Sequence, residues 1–452
     1  LPSVSKDDQC VLPVVSSAFR VTPTMPAVET TTDPIARAER IRAALPDGGL
    51  FAGKEWRVAP EPFVLPAGMD EELEKLGFRL RKLTEACNLL YRLSVSGKKP
   101  TWIAELLDRG KPRELIELAR SKAMAEAVPR VIRPDVILTE DGFAIAELDN
   151  VPGGIGLTAW LNEVYANEGF AVLGGRGMDD GFRSVVDGGD IVISKEAADY
   201  RPEMAWMASR IGARVVNAEN VPADLRAHVY RFFELFDLPN IPKSMELLRE
   251  VADGKHTMTP PPKPWIEEKL WFAVFWLRPL SDFWRRELGE KHFLALQKVI
   301  PRTWLMDPQP LPPTGVYPSL DIQSWDELKK FSQRERELVL KISGFSELAW
   351  GSRSVKVGQD LSQEDWVRAI DEALADWSQC PWILQKFHHS RVVGMDYVDG
   401  DQVVPMKGRV RLCPYYFCGQ RETKLGGVLA TVCPADKKLL HGMKDAILAP
   451  VT

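Results

Sequence analysis

The chain has 452 residues, of which 45% are hydrophobic and 27% are charged. This is the composition of a globular protein, and it excludes a mainly disordered or collagen-like chain. The 58 Lys and Arg residues against 63 Asp and Glu residues leave a net charge of −5. No basic block accompanies this charge, so nucleic acid is not an expected partner.

The cysteines and the apolar runs indicate the cellular compartment in which the protein is expected. Six cysteines are scattered without CxxC spacing, which predicts thiols in a reducing cytoplasm. The longest apolar run, Leu270–Leu277, is far shorter than the roughly 18–20 residues that cross a bilayer. Residues 1–30 lack the charged-then-apolar order of a signal peptide. We therefore expect a cytoplasmic protein without a membrane partner.

The first part of the chain changes from helical to strand periodicity. Apolar residues at three- and four-residue steps predict an α-helical N-terminal region over residues 1–125. Residues 126–160 contain a predicted antiparallel hairpin, whose strands Asp135–Thr139 and Phe143–Leu148 flank a Glu-Asp-Gly turn.

Residues 161–256 predict a small parallel β-α-β domain, with strands Ile191–Ser194 and Arg214–Asn217 joined by helix Pro202–Ile211. A Pro-rich linker then leads into residues 257–452, which begin with a helical, Trp-rich segment that we expect to be core. The elements predicted after it are helix Trp325–Glu337, strand Leu338–Ile342, helix Gln363–Asp376, and strands Trp382–Phe387, Val392–Tyr397 and Gly408–Phe417.

The hairpin carries the most informative polar residues. Glu147 and Asp149 are two apart at a strand end, so they share one face, and Asp135 lies on the partner strand. Carboxylates that converge in this way suit Mg²⁺, and the neighbouring Arg133 is placed to neutralise a transferred phosphate. The alternative is a hairpin whose acidic face is merely solvated.

A second pattern is typical of nucleotide binding. Lys341 ends an apolar strand, and a loop rich in Gly and Ser follows it, including Gly344, Ser346 and Gly351. The ammonium group would meet phosphate oxygens while the backbone N–H groups of the loop close over them. The alternative is an ordinary strand with a surface lysine.

Two later strands extend this pattern. The strand with Gln385 and Lys386 is a candidate to present backbone edge groups to an adenine. Arg409 and Arg411 alternate onto one face and either meet a phosphate or flank a solvated sheet. The sequence contains no GxxxxGK[ST] or HExxH motif, so a P-loop and a zincin are set aside.

In this order, the features resemble the circularly permuted ATP-grasp enzymes, the group that includes glutathionylspermidine synthase-like ligases. Arg133-Pro-Asp135 resembles the R-x-D pattern of that group, and Glu147-Leu-Asp149 resembles E-x-N with Asp in place of Asn. Lys269 resembles the first phosphate-binding lysine, at a helix start, and Lys341 the second.

The later strands complete the resemblance. Gln385 resembles the glutamine before the adenine hinge. Arg411, or Arg409 almost as well, resembles a late arginine near the γ-phosphate.

The resemblance implies an α+β or α/β multidomain fold. It would consist of a circularly permuted ATP-grasp core, the small β-α-β domain and the helical N-terminal region. ATP and Mg²⁺ would be the cofactors, with Asp135, Glu147 and Asp149 as metal ligands and Arg133, Arg411 and Lys341 as catalytic residues. The nucleotide would also meet Lys269, the loop from Gly344, Gln385, Lys386 and Arg409.

The implied activity is ATP-dependent joining of a carboxylate, on a small molecule or a peptide, to an amine through an acyl phosphate. Two alternatives stay open. One is a non-catalytic nucleotide- or partner-binding protein with a degenerate ATP-grasp fold. The other, placed last, is a dinucleotide-dependent oxidoreductase that uses the glycine run from Gly174 to Gly177, which does not fit GxGxxG.

Overall fold

A computed structural model describes residues 33–51, 54–349, 353–419, 422–438, 440 and 444–452. In this part of the chain the protein is a mixed α/β structure built around three sheets, which agrees with the expected mixture of α and β elements. The α-helices are α1 (Pro34–Ala43), α2 (Met69–Val95), α3 (Trp102–Asp108), α4 (Arg113–Ala119), α5 (Ile155–Asn167), α6 (Gly177–Val186), α7 (Arg201–Ile211), α8 (Ser244–Ala252), α9 (Leu270–Phe275), α10 (Ser281–Leu288), α11 (Glu290–Val299), α12 (Trp325–Leu328) and α13 (Gln363–Ala375).

The strands are β1 (Val131–Thr139), β2 (Gly142–Asp149), β3 (Asp190–Ile193), β4 (Arg214–Asn217), β5 (His228–Phe232), β6 (Thr257–Thr259), β7 (Thr303–Leu305), β8 (Leu338–Ile342), β9 (Lys356–Val357), β10 (Trp382–Lys386), β11 (Val392–Asp399), β12 (Gln402–Cys418), β13 (Thr423–Pro434) and β14 (Ile447–Pro450). The main sheet is antiparallel, in the order β14-β13-β12-β1-β2, and β11 also pairs with β12. A small antiparallel sheet has the order β7-β10-β8-β9, and a parallel sheet has the order β4-β3-β5-β6.

The predicted hairpin is confirmed as β1 and β2, and β1 begins four residues earlier than predicted. Its register places Arg133 opposite Asp149 and Asp135 opposite Glu147. Directly opposed residues of an antiparallel pair point to the same face, so these four charged side chains share one face of the sheet.

The predicted β-α-β unit is also confirmed. Strands β3 and β4 run parallel and are joined through α7. Asp190 at the start of β3 is buried and is bridged by the guanidinium of Arg214 at 2.8 Å. Residues at the carboxyl ends of β3 and β5 line one cavity together with the hairpin.

The N-terminal region packs on the back of the main sheet. Helix α2 lays its buried apolar residues against β12 and β13. At Gly77 the helix approaches so closely that an added Cβ would lie 2.4 Å from the ring of Tyr416. The hydroxyl of Tyr416 donates to the carbonyl of Leu73 at 2.6 Å. The described residues of this region include the four α-helices α1 to α4, and those between α1 and α2 form no helix.

The Trp-rich segment is core, as expected, because Trp265, Trp271 and Trp284 are buried. No helix in the described ranges has both the length and the apolar character that a membrane crossing requires.

One helix prediction is wrong in its length. Helix α12 ends at Leu328, whereas helical periodicity predicted continuation to Glu337. Beyond Leu328 the buried guanidinium of Arg336 donates to the carbonyls of Phe331 and Leu361. These bonds require a folded-back chain, so tertiary contacts override the helical propensity of this polar stretch.

Candidate functional site

A cavity of about 650 Å³ lies between the hairpin, the carboxyl ends of the parallel strands, the start of α9 and the loop after β8. The charged hairpin face lines it through Arg133, Asp135, Glu147 and Asp149. Arg411 of β12 lines it as well. The fold therefore brings residues from distant parts of the sequence to one concave surface, the usual form of a ligand site.

The hairpin charges are paired with one another. Arg133 bridges Asp149 at 2.8 Å and lies 3.4 Å from Asp135. Arg411 bridges the other oxygen of Asp135 at 3.0 Å. Burial raises the pKa of Asp135, but Arg411 and Arg133 outweigh burial and hold that pKa below its ordinary value.

The expected set of three metal-binding carboxylates is not assembled. No group of three His, Cys, Asp or Glu side chains in the described part of the chain is arranged to hold a metal ion. The two carboxylate oxygens of Asp135 accept from Arg411 and from the thiol of Cys413. The sequence indicated Asp135, Arg133 and Arg411 as site residues but not their pairing with one another.

Glu147 and Asp149 are the other two carboxylates of the expected set, and each is also paired with a cation, Lys269 and Arg133 respectively. Both line the cavity from alternate positions of β2. Burial raises the pKa of Asp149 despite the nearby Arg133, so an added cation would stabilise the charged carboxylate. Mg²⁺ is commonly held by one or two protein carboxylates together with substrate phosphates and water.

Lys269 lies immediately before α9, at the helix start expected from the sequence. Its ammonium group is 2.8 Å from a carboxylate oxygen of Glu147 and donates to the carbonyl of Ala349 at 3.1 Å. Burial works to lower the pKa of Lys269, but Glu147 outweighs it and the pKa is raised. Lys269 is thus a charged group at the cavity wall.

Lys341 lies in β8 and reaches the same end of the hairpin. Its ammonium group donates to the carbonyl of Ala146 at 3.0 Å and to the side-chain oxygen of Gln385 at 2.9 Å. Burial lowers the pKa of Lys341 to about 8. Gln385 is buried and also donates to the hydroxyl of Thr303, so it holds the lysine in place.

Strand β10 does not offer the free backbone edge expected for an adenine. It is an interior strand, paired with β7 on one side and with β8 on the other. The backbone N–H of Lys386 donates to the carbonyl of Arg302, and the side chain of Lys386 is exposed. The pairing partner β7 is only three residues long, which left no sequence pattern that would reveal it.

The structure separates the two arginines of β12. Arg411 lines the cavity. Arg409 instead donates to the carbonyls of Ala435 and Ser390, which fixes the strand to neighbouring loops. Of the two, Arg411 is therefore the one placed at the candidate site.

The loop after β8 lines the cavity through Gly344 and Ser346. The hydroxyl of Ser346 accepts from the N–H of Leu348 and so stabilises a local turn. Gly351 lies outside the described residues.

Sequence reasoning missed a buried ion pair behind this loop. Lys111, in the turn between α3 and α4, lies 2.5 Å from Glu268, and the two side chains are only 1% and 2% exposed. The other carboxylate oxygen of Glu268 accepts from the hydroxyl of Ser343. No local motif marks a lysine whose partner is so far along the chain.

It also missed Glu203 of α7, a fully buried carboxylate beside the hairpin. Glu203 accepts the N–H groups of Gly154 at 2.6 Å and Leu157 at 2.9 Å, and so caps the start of α5. The carbonyl of the adjacent Gly153 accepts from Arg133 at 3.0 Å. Glu203 thus fixes the loop that orients Arg133.

The acidic residue Glu234, which follows β5, lies in another part of the cavity wall. Burial and the neighbouring Glu267 raise the pKa of Glu234. Glu267 itself is paired with the fully buried Arg231. This wall lies at the carboxyl ends of parallel strands, where open α/β sheets bind ligands.

Comparison with known proteins gives a likeness of fold. The chain is similar to a glutathione synthetase-like effector, GSS30, from Globodera pallida in its apo form, with a TM-score of 0.52 and 12% sequence identity over 95% of this chain and 99% of that one. A protein from Methylobacillus flagellatus KT that carries the assignment gamma-glutamylcysteine synthetase gives a TM-score of 0.36 at 10% identity, over 84% and 87% of the two chains, which is too low to support an argument. No protein-family model and no curated protein matches the chain.

Proposed function

We propose that the protein is an ATP-dependent carboxylate–amine ligase with a circularly permuted ATP-grasp core. The observation that carries the proposal is the convergence of two lysines on the end of the hairpin. Lys269 reaches Glu147 from the start of α9, and Lys341 reaches the adjacent Ala146 from β8. Two cations from separate elements beside a pair of carboxylates match the needs of a polyphosphate and its metal ion.

In this proposal the nucleotide phosphates lie between the hairpin and the loop after β8. Lys269, Lys341 and Arg411 spread the negative charge of the transferring phosphoryl group. Glu147 and Asp149 would hold Mg²⁺, which supplies charge neutralisation at the phosphate oxygens. The hairpin precedes both lysines in the sequence, the order that characterises the permuted group.

The carboxylate substrate enters the same cavity beside Arg133 and attacks the γ-phosphate to give an acyl phosphate. An amine then displaces the phosphate and forms the amide. Glu234 also lines the cavity, and its raised pKa suits it to take up the proton that the attacking amine releases. The loop containing Gly344 and Ser346 covers the phosphate side and limits the access of water.

The fold likeness to a glutathione synthetase-like effector is compatible with this class of reaction. A non-catalytic nucleotide-binding role is the second candidate. The internal pairing of Asp135 with Arg133 and Arg411 favours it, because these charges satisfy one another without a ligand.

A trapping assay tests the proposal. The purified chain is incubated with Mg-ATP, hydroxylamine and a panel of carboxylic acids and short peptides, and both ADP and hydroxamate are measured. We expect at least one acid to give ADP and hydroxamate in equal amounts, because hydroxylamine captures an acyl phosphate. ATP binding without acid-dependent ADP release across the panel would favour the non-catalytic role.

A further inference from the structure

The buried pair of Lys111 and Glu268 joins the N-terminal region to the lysine-bearing wall of the cavity. Lys111 also donates to the carbonyl of Leu107 at 2.6 Å. Neither Lys111 nor Glu268 lines the cavity. A buried ion pair repays its desolvation only when geometry is good and further hydrogen bonds satisfy its atoms, and both conditions hold here.

Ser343 extends this contact to both phosphate-side lysines. Its hydroxyl donates to Glu268 and accepts the N–H of Leu270 at 2.8 Å. Its carbonyl accepts the N–H of Lys269 at 3.1 Å. Because Ser343 also follows β8, the strand of Lys341, the carboxylate of Glu268 ties the end of that strand to the start of α9.

The turn that carries Lys111 is itself firmly anchored. Gly110 has a φ of +72°, and an added Cβ would lie 1.7 Å from the carbonyl oxygen of Gln379. Arg109 donates to the carbonyl of Trp377 and lies 4.3 Å from the centre of its ring. The ammonium of Lys111 is therefore presented from a rigid position.

The loop after β8 is packed against the same carboxylate. A Cβ added at Gly344 would lie 3.1 Å from the carboxyl carbon of Glu268 and 3.0 Å from the carbonyl of Glu267. A displaced Glu268 would therefore disturb both the loop and the neighbouring Lys269, whose pKa the negative charge of Glu268 already helps to raise.

We infer that Lys111 is a positioning residue for nucleotide binding: it neutralises and fixes Glu268, so that Lys269 and Lys341 face the phosphates at a set separation. The inference rests on the proposed function. Without the Lys111 ammonium, Glu268 is a buried charge that has lost its ion-pair partner.

The test compares Mg-ATP affinity in four variants of the full chain. Lys111→Met removes the ammonium, and Lys111→Arg restores a cation. The double variant Lys111→Met with Glu268→Gln removes both charges and so leaves no buried charge unpaired. The matched control is Lys263→Met, because Lys263 is a second buried lysine that joins the N-terminal region to the core, through Asn88 and the carbonyl of Ala127.

We expect Lys111→Met to weaken Mg-ATP binding about tenfold. The Kd and the KM for ATP should rise together while kcat falls less. Lys111→Arg and the double variant should recover most of the affinity. Lys263→Met should lower the unfolding temperature but leave the Kd within about twofold of the wild-type value.

The outcomes separate the two claims. Wild-type affinity in Lys111→Met, or an equal loss in Lys263→Met, would overturn the positioning role while leaving the proposed function standing. A folded wild-type chain that does not bind Mg-ATP would overturn both. If Lys111→Met does not fold, the double variant decides, because a folded double variant with a tenfold loss of affinity contradicts neutralisation of Glu268 as the role of Lys111.

Discussion

The hairpin and the N-terminal region serve the same cavity in different ways. The hairpin supplies charged groups from two strands that are adjacent in sequence, and these groups line the cavity. The N-terminal region supplies Lys111, which stays behind the wall and acts on Glu268. Groups that line a cavity can therefore come from neighbouring positions in the sequence. The groups that fix the cavity wall in place can come from distant positions.

The largest effects should follow removal of Asp149, which lines the cavity, or of Lys341, whose buried ammonium lies at the end of the hairpin. We expect Asp149→Ala and Lys341→Ala each to lower ADP release at least about a hundredfold while the fold stays intact. The reason is that both groups act on charge that develops at the phosphates. Steady-state ADP release and a thermal melt measure the two effects.

The matched control for Lys341→Ala is Lys356→Ala in the neighbouring strand β9, whose ammonium is paired with Glu372. It should keep normal turnover. Normal ADP formation in Asp149→Ala or Lys341→Ala would remove that residue from the mechanism.

Glu203, which fixes the loop that orients Arg133, should instead affect stability. The pH dependence of unfolding tests its contribution. Burial raises its pKa from the ordinary 4.5 to about 7, so folding favours the protonated form. Its contribution to stability is full below pH 4.5 and is lost as the pH rises through 7. We expect a loss of about 3 kcal/mol across this window from Glu203.

Denaturant unfolding at several pH values between 4.5 and 8 measures this loss of stability. Glu203→Gln, which does not titrate, should have a flatter profile than the wild type over the same range. Parallel profiles for the two proteins would show that Glu203 does not carry the pH dependence.

The smallest effect should come from an exposed pair close to the buried one. Arg113 and Glu117 lie 2.7 Å apart on α4, and their side chains are 92% and 59% exposed. Because water and salt screen such a pair, Arg113→Gln should change the free energy of unfolding by no more than about 0.5 kcal/mol. A chemical denaturation curve checks this. A loss of unfolding free energy as large as that of Lys111→Met would contradict the claim that the exposed pair contributes less than the buried one.

Much of the local structure could be predicted from the sequence. The hairpin, the β-α-β unit and strand β8 follow from alternation and turn residues, which act over a few neighbouring positions. The placement of Lys269 at a helix start came instead from the resemblance to the permuted ATP-grasp group, through a short pattern of neighbouring residues. These features need no knowledge of distant contacts.

The remaining features depend on contacts that sequence periodicity does not encode. The interior position of β10 depends on the three-residue strand β7. The pairing of Asp135 with Arg411 joins residues 276 positions apart in the sequence. The roles of Lys111 and Glu203 likewise depend on tertiary packing, since each partner lies on another element.

The most direct test of the central claim, that the cavity binds Mg-ATP, is a thermal-shift comparison of the purified chain with Mg-ATP, with ATP plus chelator, and with NAD. A ligand present at about a hundredfold over its Kd stabilises the folded state by about 2.7 kcal/mol. We predict a clear rise in unfolding temperature with Mg-ATP that is reduced by the chelator, and no rise with NAD. A rise with NAD alone, or none with Mg-ATP, would contradict the account.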